Sequence, residues 1–171
     1  MTAHFVNLLD ELRRRSLRMA SQVEDMLEES ADVVFHTDKA LARRIVARDE
    51  EVDAEEVGVE SEVIRLLALY QPVGRDLRLL ATILKVNSDL ERVADCAVNI
   101  AERALHLEVQ DPANLSEELK QLFPLTRATL RNAVQAYSAE DAATARRVIQ
   151  EENFDPVRPF RVQRRGGIHI D

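Results

Sequence analysis

Cysteine is almost missing from the 171-residue sequence: Cys96 is the only one, which excludes a disulfide framework and a cysteine-based zinc site. Glycine occurs four times, proline five times and tryptophan never, and aromatic residues make up 4%. Sheets need turn residues and β-branched or aromatic strands, so this poverty argues for long helices with few connections. Neither a GxGxxG nor a Walker A pattern occurs, so Gly-rich phosphate loops are removed as well. No stretch approaches the roughly 20 consecutive apolar residues of a membrane span. Residues 1–15 carry Asp10 and Glu11 and have no continuous apolar run, unlike a signal peptide. Basic charge is in deficit: 23 Lys and Arg against 31 Asp and Glu leave −8. That balance disfavours general attraction to nucleic acid or anionic lipid. The expectation is a soluble, cytoplasmic, all-α protein with no nucleic-acid partner and no direct membrane insertion.

What is present is helical periodicity. Phe5, Leu9, Leu12, Ser16, Met19, Val23, Met26, Ser30 and Val33 alternate 3–4 spacing, the pattern of a helix laid along others in a bundle. This first helix is expected over about 4–35, with Arg13, Arg14, Arg15 and Arg18 on its solvated face. His36-Thr37-Asp38 breaks it with capping chemistry. A second helix is expected over about 39–70, stopped by Gln71-Pro72-Val73-Gly74, and a third over about 75–108. Short links between helices of similar length imply an antiparallel three-helix bundle. After Pro112, Asn114 with Glu117 reads as a capping pair opening a fourth helix to about Tyr137. The Ser138 to Asp141 segment opens a fifth through about Glu152. Leu27, Asp38, Ala42 and Arg44 recur 103 residues on as Leu130, Asp141, Ala145 and Arg147, which suggests an internal repeat. Residues 153–171, with two prolines, a Gly-Gly pair and four arginines, read as a non-helical and disordered tail.

Carboxylates stand where leucines belong. In the third helix Leu77, Leu84, Val98 and Leu105 repeat every seven residues and Glu91 takes the missing place, with Asp95 one turn on. In the second helix the seam Ile45, Asp49, Val52, Glu56, Val59, Val63, Leu66 and Tyr70 is interrupted at Asp49 and Glu56, and Asp53 and Glu60 flank it. Burying a carboxylate costs several kcal/mol unless it is paired or ligates a metal. Two helices that each offer acids at i and i+4 can surround a hard or borderline cation with oxygen ligands. The alternative is an exposed seam edge, where these acids meet water or arginines such as Arg48 and Arg92. Other chemistry is thin. His4, His36, His106 and His169 are scattered, Glu102 and His106 lack the di-iron spacing, and Cys96 reads as a small packed residue of the bundle.

Two segments resemble the PhoU family. Gln71-Pro72-Val73-Gly74-Arg75-Asp76-Leu77-Arg78 is similar to its QPVAxDLR turn. The run from Ser88 through Glu91, Arg92, Asp95 and Asn99 to Glu102 is similar to its SDLERIGDxAxNIAE helix, and Arg48 to Asp53 to the acidic segment of its second helix. The likeness extends over about residues 5–150, with Gly74 for the usual alanine and Ala94 for the usual glycine. It implies tandem three-helix bundles with metal-binding E/DxxxD pairs, which fall here on Asp49/Asp53 and Glu91/Asp95, with Glu56 and Glu60 as additional ligands. The implied cofactor is a metal ion or small cluster: iron first, then manganese, magnesium or zinc.

The implied role is non-enzymatic. A homodimeric regulator would couple a phosphate ABC transporter ATPase to a sensor histidine kinase and repress the phosphate-starvation response. The second half departs from the pattern, since the sixth helix with its ExxxD pair is missing, as if the second repeat were truncated. The expected organisation is a first bundle over 1–110, a partial second over 111–152 and the tail over 153–171. Two other readings stand beside it: a carboxylate-bridged metalloenzyme in a helical bundle, and a degenerate regulator fragment.

Overall fold

The computed structural model describes residues 3–106 and 117–152, and both segments are helical. The helices are α1 (Ala3–His36), α2 (Lys39–Ala47), α3 (Asp49–Tyr70), α4 (Gly74–Leu105), α5 (Glu117–Ala139) and α6 (Ala142–Glu152). No strand occurs among the described residues. The Asn114 cap and the tail lie outside them.

α1 buries all nine seam positions expected from its spacing, together with Ala20 and Leu27. It lies against α4, α3 and α2, so the first three predicted helices form the antiparallel bundle. Two apolar clusters fill it. One joins Phe5, Leu9 and Leu12 of α1 to Val59, Val63 and Leu66 of α3 and to Leu80 and Ile83 of α4. The other joins Met19, Val23, Met26 and Val33 to Ile45, Val52 and Leu90, with alanines 94, 97, 101 and 104 lining α4. Each fully buried Leu, Met or Phe contributes about 1.5–3 kcal/mol relative to exposure. Between the clusters lies a polar layer: Ser16 Oγ donates to Asn87 Oδ1 at 2.7 Å, and Tyr137 Oη donates to Ser16 Oγ at 3.0 Å. A buried polar layer of this kind discriminates against a shifted helix register.

The second predicted helix is broken at Arg48. The break is a bend, because the Arg48 N–H still reaches the carbonyls of Arg44 and Ile45, and its own carbonyl accepts from Glu51 and Val52. Asp49, Glu50 and Glu51 fill the first turn of α3, where negative charge suits the helix N-terminus. The Arg48 side chain is drawn sideways to Glu29 of α1 at 2.5 Å and to the Gln22 carbonyl. Gly58, in the middle of α3, leaves space for Arg15: an added Cβ would stand 2.8 Å from the guanidinium Nη2. That guanidinium forms a bidentate pair with Glu55 at 2.8 and 3.1 Å.

The basic cluster on α1 is neutralised within the fold, since Arg13 pairs with Glu140, Arg15 with Glu55, and Arg14 and Arg18 with Glu11. The core seam of α4 runs through Leu80, Ile83, Asn87, Leu90, Ala94, Ala97, Val98, Ala101 and Ala104. This corrects the seven-residue series built on Leu77, which is 43% exposed. Glu91 therefore flanks the seam instead of replacing one of its members. The longer alternating series of alanines and leucines is the true stripe, and alanine's weak apolar signal hides it. Cys96 is exposed, not packed as expected from its size.

α5 and α6 do not stand alone. α5 lies along α1, with Ala136 buried, Leu130 and Val134 against one core cluster and Tyr137 against the other. Phe123 meets Phe35 edge to face at 5.5 Å, and Arg127 pairs with Glu28 at 2.7 Å. α6 opens at Asp141, whose carboxylate accepts from the N–H groups of Ala143 and Thr144, so Asp141 and not Ser138 is the cap. Asp38 caps α2 in the same way through Ala40 and Leu41. The residue before each cap, Thr37 and Glu140, is left-handed, with φ 54 and 52°. The two turns, 103 residues apart, are built alike.

Gln71 is also left-handed (φ 44°) where it closes α3, and its side chain is exposed. A non-glycine residue costs about 1–2 kcal/mol there, partly offset by the backbone entropy that glycine loses on folding. Gln71→Gly is expected to raise stability by about 0.5–1 kcal/mol in urea denaturation. A loss would contradict this account of the turn.

Candidate acidic site between two helices

The packing of α3 on α4 places the acids. Val52 is buried in the same cluster as Leu90, Ala94 and Val98. The neighbours of these core residues on one side are acidic: Asp49, Asp53 and Glu56 on α3, and Glu91, Asp95 and Glu102 on α4. Asp49, Glu56 and Glu91 are half-buried, while Asp53, Asp95 and Glu102 are exposed. The helices are antiparallel, so the acids form a ladder across the seam edge.

Electrostatics ties the two rails together. The Asp49 carboxyl is pushed above the usual range, first by loss of water and then by the charges of Asp53, Asp95, Glu102 and Glu50. Glu91 is raised for the same reasons, by burial first and then by Asp95, Asp53, Glu56 and Asp49. Asp49, Asp53, Glu91 and Asp95 thus share one electrostatic neighbourhood, as the two i, i+4 pairs anticipate. Glu56 belongs to it, and Glu60 is an exposed acid one turn further along α3. Glu102 is a member that the sequence reading assigned no part in the cluster. Its signal is its place seven residues beyond Asp95, two turns along the same stripe.

No cation answers this cluster among the described residues. Arg48 turns to Glu29, and Arg92 pairs with Asp89 of its own helix at 3.7 Å. These partners overturn the alternative in which Arg48 and Arg92 neutralise the acids. Asp49 Oδ1 is buried without a hydrogen-bond partner. A buried, unpaired carboxylate oxygen is costly and calls for a cation or a proton.

No three His, Cys, Asp or Glu side chains among the described residues are gathered into a ready-made metal site. Ionised carboxylates with nothing between them repel, so a splayed set is the expected arrangement of the metal-free cluster. The donors are all oxygen, which fits a hard or borderline cation and not a thiophilic one.

The arrangement sets the pH response of the metal-free protein. Folded pKa values above the unfolded ones mean that ionised Asp49 and Glu91 cost stability at neutral pH. That cost is relieved as pH falls through the folded values toward the ordinary carboxylate range. Glu62, lowered by its hydrogen bond from Arg65, and Asp141, lowered by its bonds to Thr144 and Ala143, act oppositely. Their contribution is lost only on further acidification, through their depressed folded values. Urea midpoints of chelator-treated protein are therefore expected to rise as pH falls from neutrality toward the ordinary carboxylate range, and to fall below it. A monotonic fall from pH 7 would contradict the reading of the cluster.

Comparison with known proteins follows the same segment. A family model described as the PhoU domain matches residues 16–104. The phosphate-specific transport system accessory protein PhoU homolog of Aquifex aeolicus is 30% identical over 145 residues, 85% of this chain and 66% of that protein. Its Deinococcus radiodurans counterpart is 39% identical over 138 residues, 81% of this chain and 62% of that protein. The chain spans less than two thirds of the length of these curated relatives. Among solved structures, PhoU from Pseudomonas aeruginosa superposes with a TM-score of 0.79 at 28% identity, covering 87% of this chain and 72% of that one. The phosphate transport system regulatory protein PhoU from Streptococcus pneumoniae gives 0.78 at 28% identity, covering 87% of this chain and 70% of that one.

Proposed function

This chain belongs to the PhoU family, and from that premise we propose that it is a non-enzymatic, metal-binding regulator of phosphate uptake. In this reading it acts in the cytoplasm as a homodimer and couples the ATPase of a phosphate ABC transporter to a sensor histidine kinase, repressing the phosphate-starvation response. The names of its relatives, accessory proteins of phosphate-specific transport, support the process. No helix among the described residues is long and apolar enough to cross a membrane. Contact with a transporter would therefore run through exposed helix faces.

One observation carries the metal reading: Asp49 and Glu91 are raised by acids of both α3 and α4, neither has a basic partner among the described residues, and one oxygen of Asp49 is buried and unsatisfied. Asp49, Asp53, Glu91 and Asp95 would hold the ion, with Glu56 and Glu102 within electrostatic reach. Iron is the first choice, with manganese, magnesium and zinc as alternatives. The ion would supply positive charge that offsets the mutual repulsion and fixes α3 to α4. The residues themselves set that clamp: the buried Val52, Leu90 and Ala94 hold the two rails parallel, and the bend at Arg48 starts α3 where Asp49 faces α4. A bundle stiffened along α3 and α4 presents a constant outer surface to partners. The carboxylate-bridged enzyme is not favoured, since Glu102 and His106 stand four apart and lack the Glu-x-x-His spacing of such sites.

The cellular test is complementation of a strain lacking its own regulator, read by a phosphate-starvation reporter. Wild type is expected to repress the reporter in phosphate-rich medium, and Asp49→Asn/Glu91→Gln to repress it at least about fivefold less. A reporter equally repressed by both would remove the metal site from the regulatory reading. A reporter repressed by neither, with both proteins present at equal levels, would remove the regulatory reading itself.

A further inference from the structure

A groove of about 630 Å³ runs between the first half of α4, the end of α5 and α6. Its walls are apolar, from Leu79 and Val86 of α4, Tyr137 of α5, and Val148 and Ile149 of α6. Its mouth is cationic, because Arg13, Arg75 and Arg78 all border it.

One carboxylate stands among these three guanidinium groups. Glu140 Oε1 accepts from Arg13 Nη1 at 3.0 Å, and its Oε2 accepts from Arg75 Nη2 at 2.8 Å. Arg78 has no ion pair among the described residues, and its backbone carbonyl accepts from Thr82 Oγ1 at 2.8 Å. The second acid on the lining, Asp141, is engaged through both oxygens in capping α6. Glu140 holds its place in a left-handed backbone conformation, φ 52°, which disfavours a side-chain-bearing residue. Arg13 also grips the same turn by donating to the Ser138 carbonyl at 2.8 Å.

A carboxylate shared between two guanidinium groups is how arginines recognise an oxyanion, and Arg78, on the same lining, has no acid partner among the described residues. The volume falls within the roughly 300–1,000 Å³ typical of small-molecule sites, and the apolar walls suit a hydrocarbon body behind the charged head. We propose that Arg13, Arg75 and Arg78 form an oxyanion site at the mouth of this groove, with Glu140 as its built-in occupant. The ligand is an amphiphilic phosphate or similar oxyanion whose head displaces Glu140 while its apolar body lies between α4 and α6. The site is separate from the acidic ladder on α3 and α4 and does not depend on a metal there.

The test titrates octyl phosphate, below its micellar concentration, into the full chain by isothermal calorimetry. Inorganic phosphate and uncharged octyl glucoside are the comparison probes. Octyl phosphate is expected to bind wild type, to bind Glu140→Gln about tenfold more tightly and to bind Arg78→Gln about tenfold more weakly. Because Arg78 carries no ion pair, Arg78→Gln should melt at the wild-type temperature, which separates lost binding from lost folding. Inorganic phosphate is expected to bind at least about tenfold more weakly than octyl phosphate, because it fills none of the groove. The proposal is overturned by equal affinity among wild type, Glu140→Gln and Arg78→Gln, or by no binding to wild type and Glu140→Gln. It is also overturned if octyl glucoside or inorganic phosphate binds as tightly as octyl phosphate.

Discussion

Asp49→Asn combined with Glu91→Gln is expected to make the metal-free protein more stable by about 1 kcal/mol and to abolish its stabilisation by divalent cations. Most substitutions at half-buried positions destabilise, so the sign is the informative part. Both carboxyls are raised by burial and by each other's neighbours, and neither has a basic partner among the described residues. Removing their charge while keeping their shape takes away the repulsion and leaves the packing around Val52 and Leu90. Wild type is expected to respond differently to metal. At a hundred times the dissociation constant, binding to the folded state alone adds about 2.7 kcal/mol, or roughly 5–10 °C in a chain of this size. Thermal melts of chelated and metal-loaded protein give both quantities. A double variant less stable than wild type without metal would contradict the repulsion, and an equal metal response would remove these residues from the site.

Leu80→Ala and Tyr137→Ala are expected to fail in different ways. Leu80 is fully buried among Phe5, Leu66 and Ile83, so its truncation should cost about 2–5 kcal/mol and weaken α1, α3 and α4 together. Tyr137 packs on the same cluster from outside the three-helix bundle and donates to Ser16. Its loss should free α5 and α6, whose buried residues among those described are Ala136 and Val148, while the bundle keeps its protection. Amide exchange read helix by helix distinguishes the two patterns. Already in wild type, α5 and α6 should exchange faster than α1, α3 and α4. Uniform protection there, or parallel loss of protection in α1 and α5 on Tyr137→Ala, would show one cooperative unit instead.

Much of this was legible in the residues because the bundle is built from strong local signals. The α1 seam runs unbroken from Phe5 to Val33, and each of its nine positions is buried. Asp38 and the Gln71 to Gly74 turn place the chain reversals where capping and proline chemistry demand them. On α3, Asp49 and Glu56 stood out because they interrupt the seam of Val52, Val59 and Val63, whereas Glu91 stood out through a leucine series that is not the buried seam. The bend at Arg48 was hidden, since no glycine or proline marks it and the partners of Arg48 lie across space, in Glu29 and Gln22. The α4 seam was misplaced by one position because alanines do its packing close to α1, and periodicity read from leucines passes over them. Partners of single charges were the least legible of all. Neither the turn of Arg48 and Arg92 away from the acids nor the convergence of Arg13 and Arg75 on Glu140 is written in local spacing.

The central claim is that the acid ladder of α3 and α4 binds a cation. Its most direct test is titration of manganese(II) into chelator-treated protein, followed by electron paramagnetic resonance of the free ion. Wild type is expected to take up the ion in a fixed stoichiometry. Asp49→Asn, Asp53→Asn, Glu91→Gln and Asp95→Asn should each weaken uptake by at least about tenfold. Glu60→Gln, at an exposed acid one turn beyond Glu56, should weaken it less than any of these four. Uptake that is the same in wild type and all four ladder variants would contradict the account.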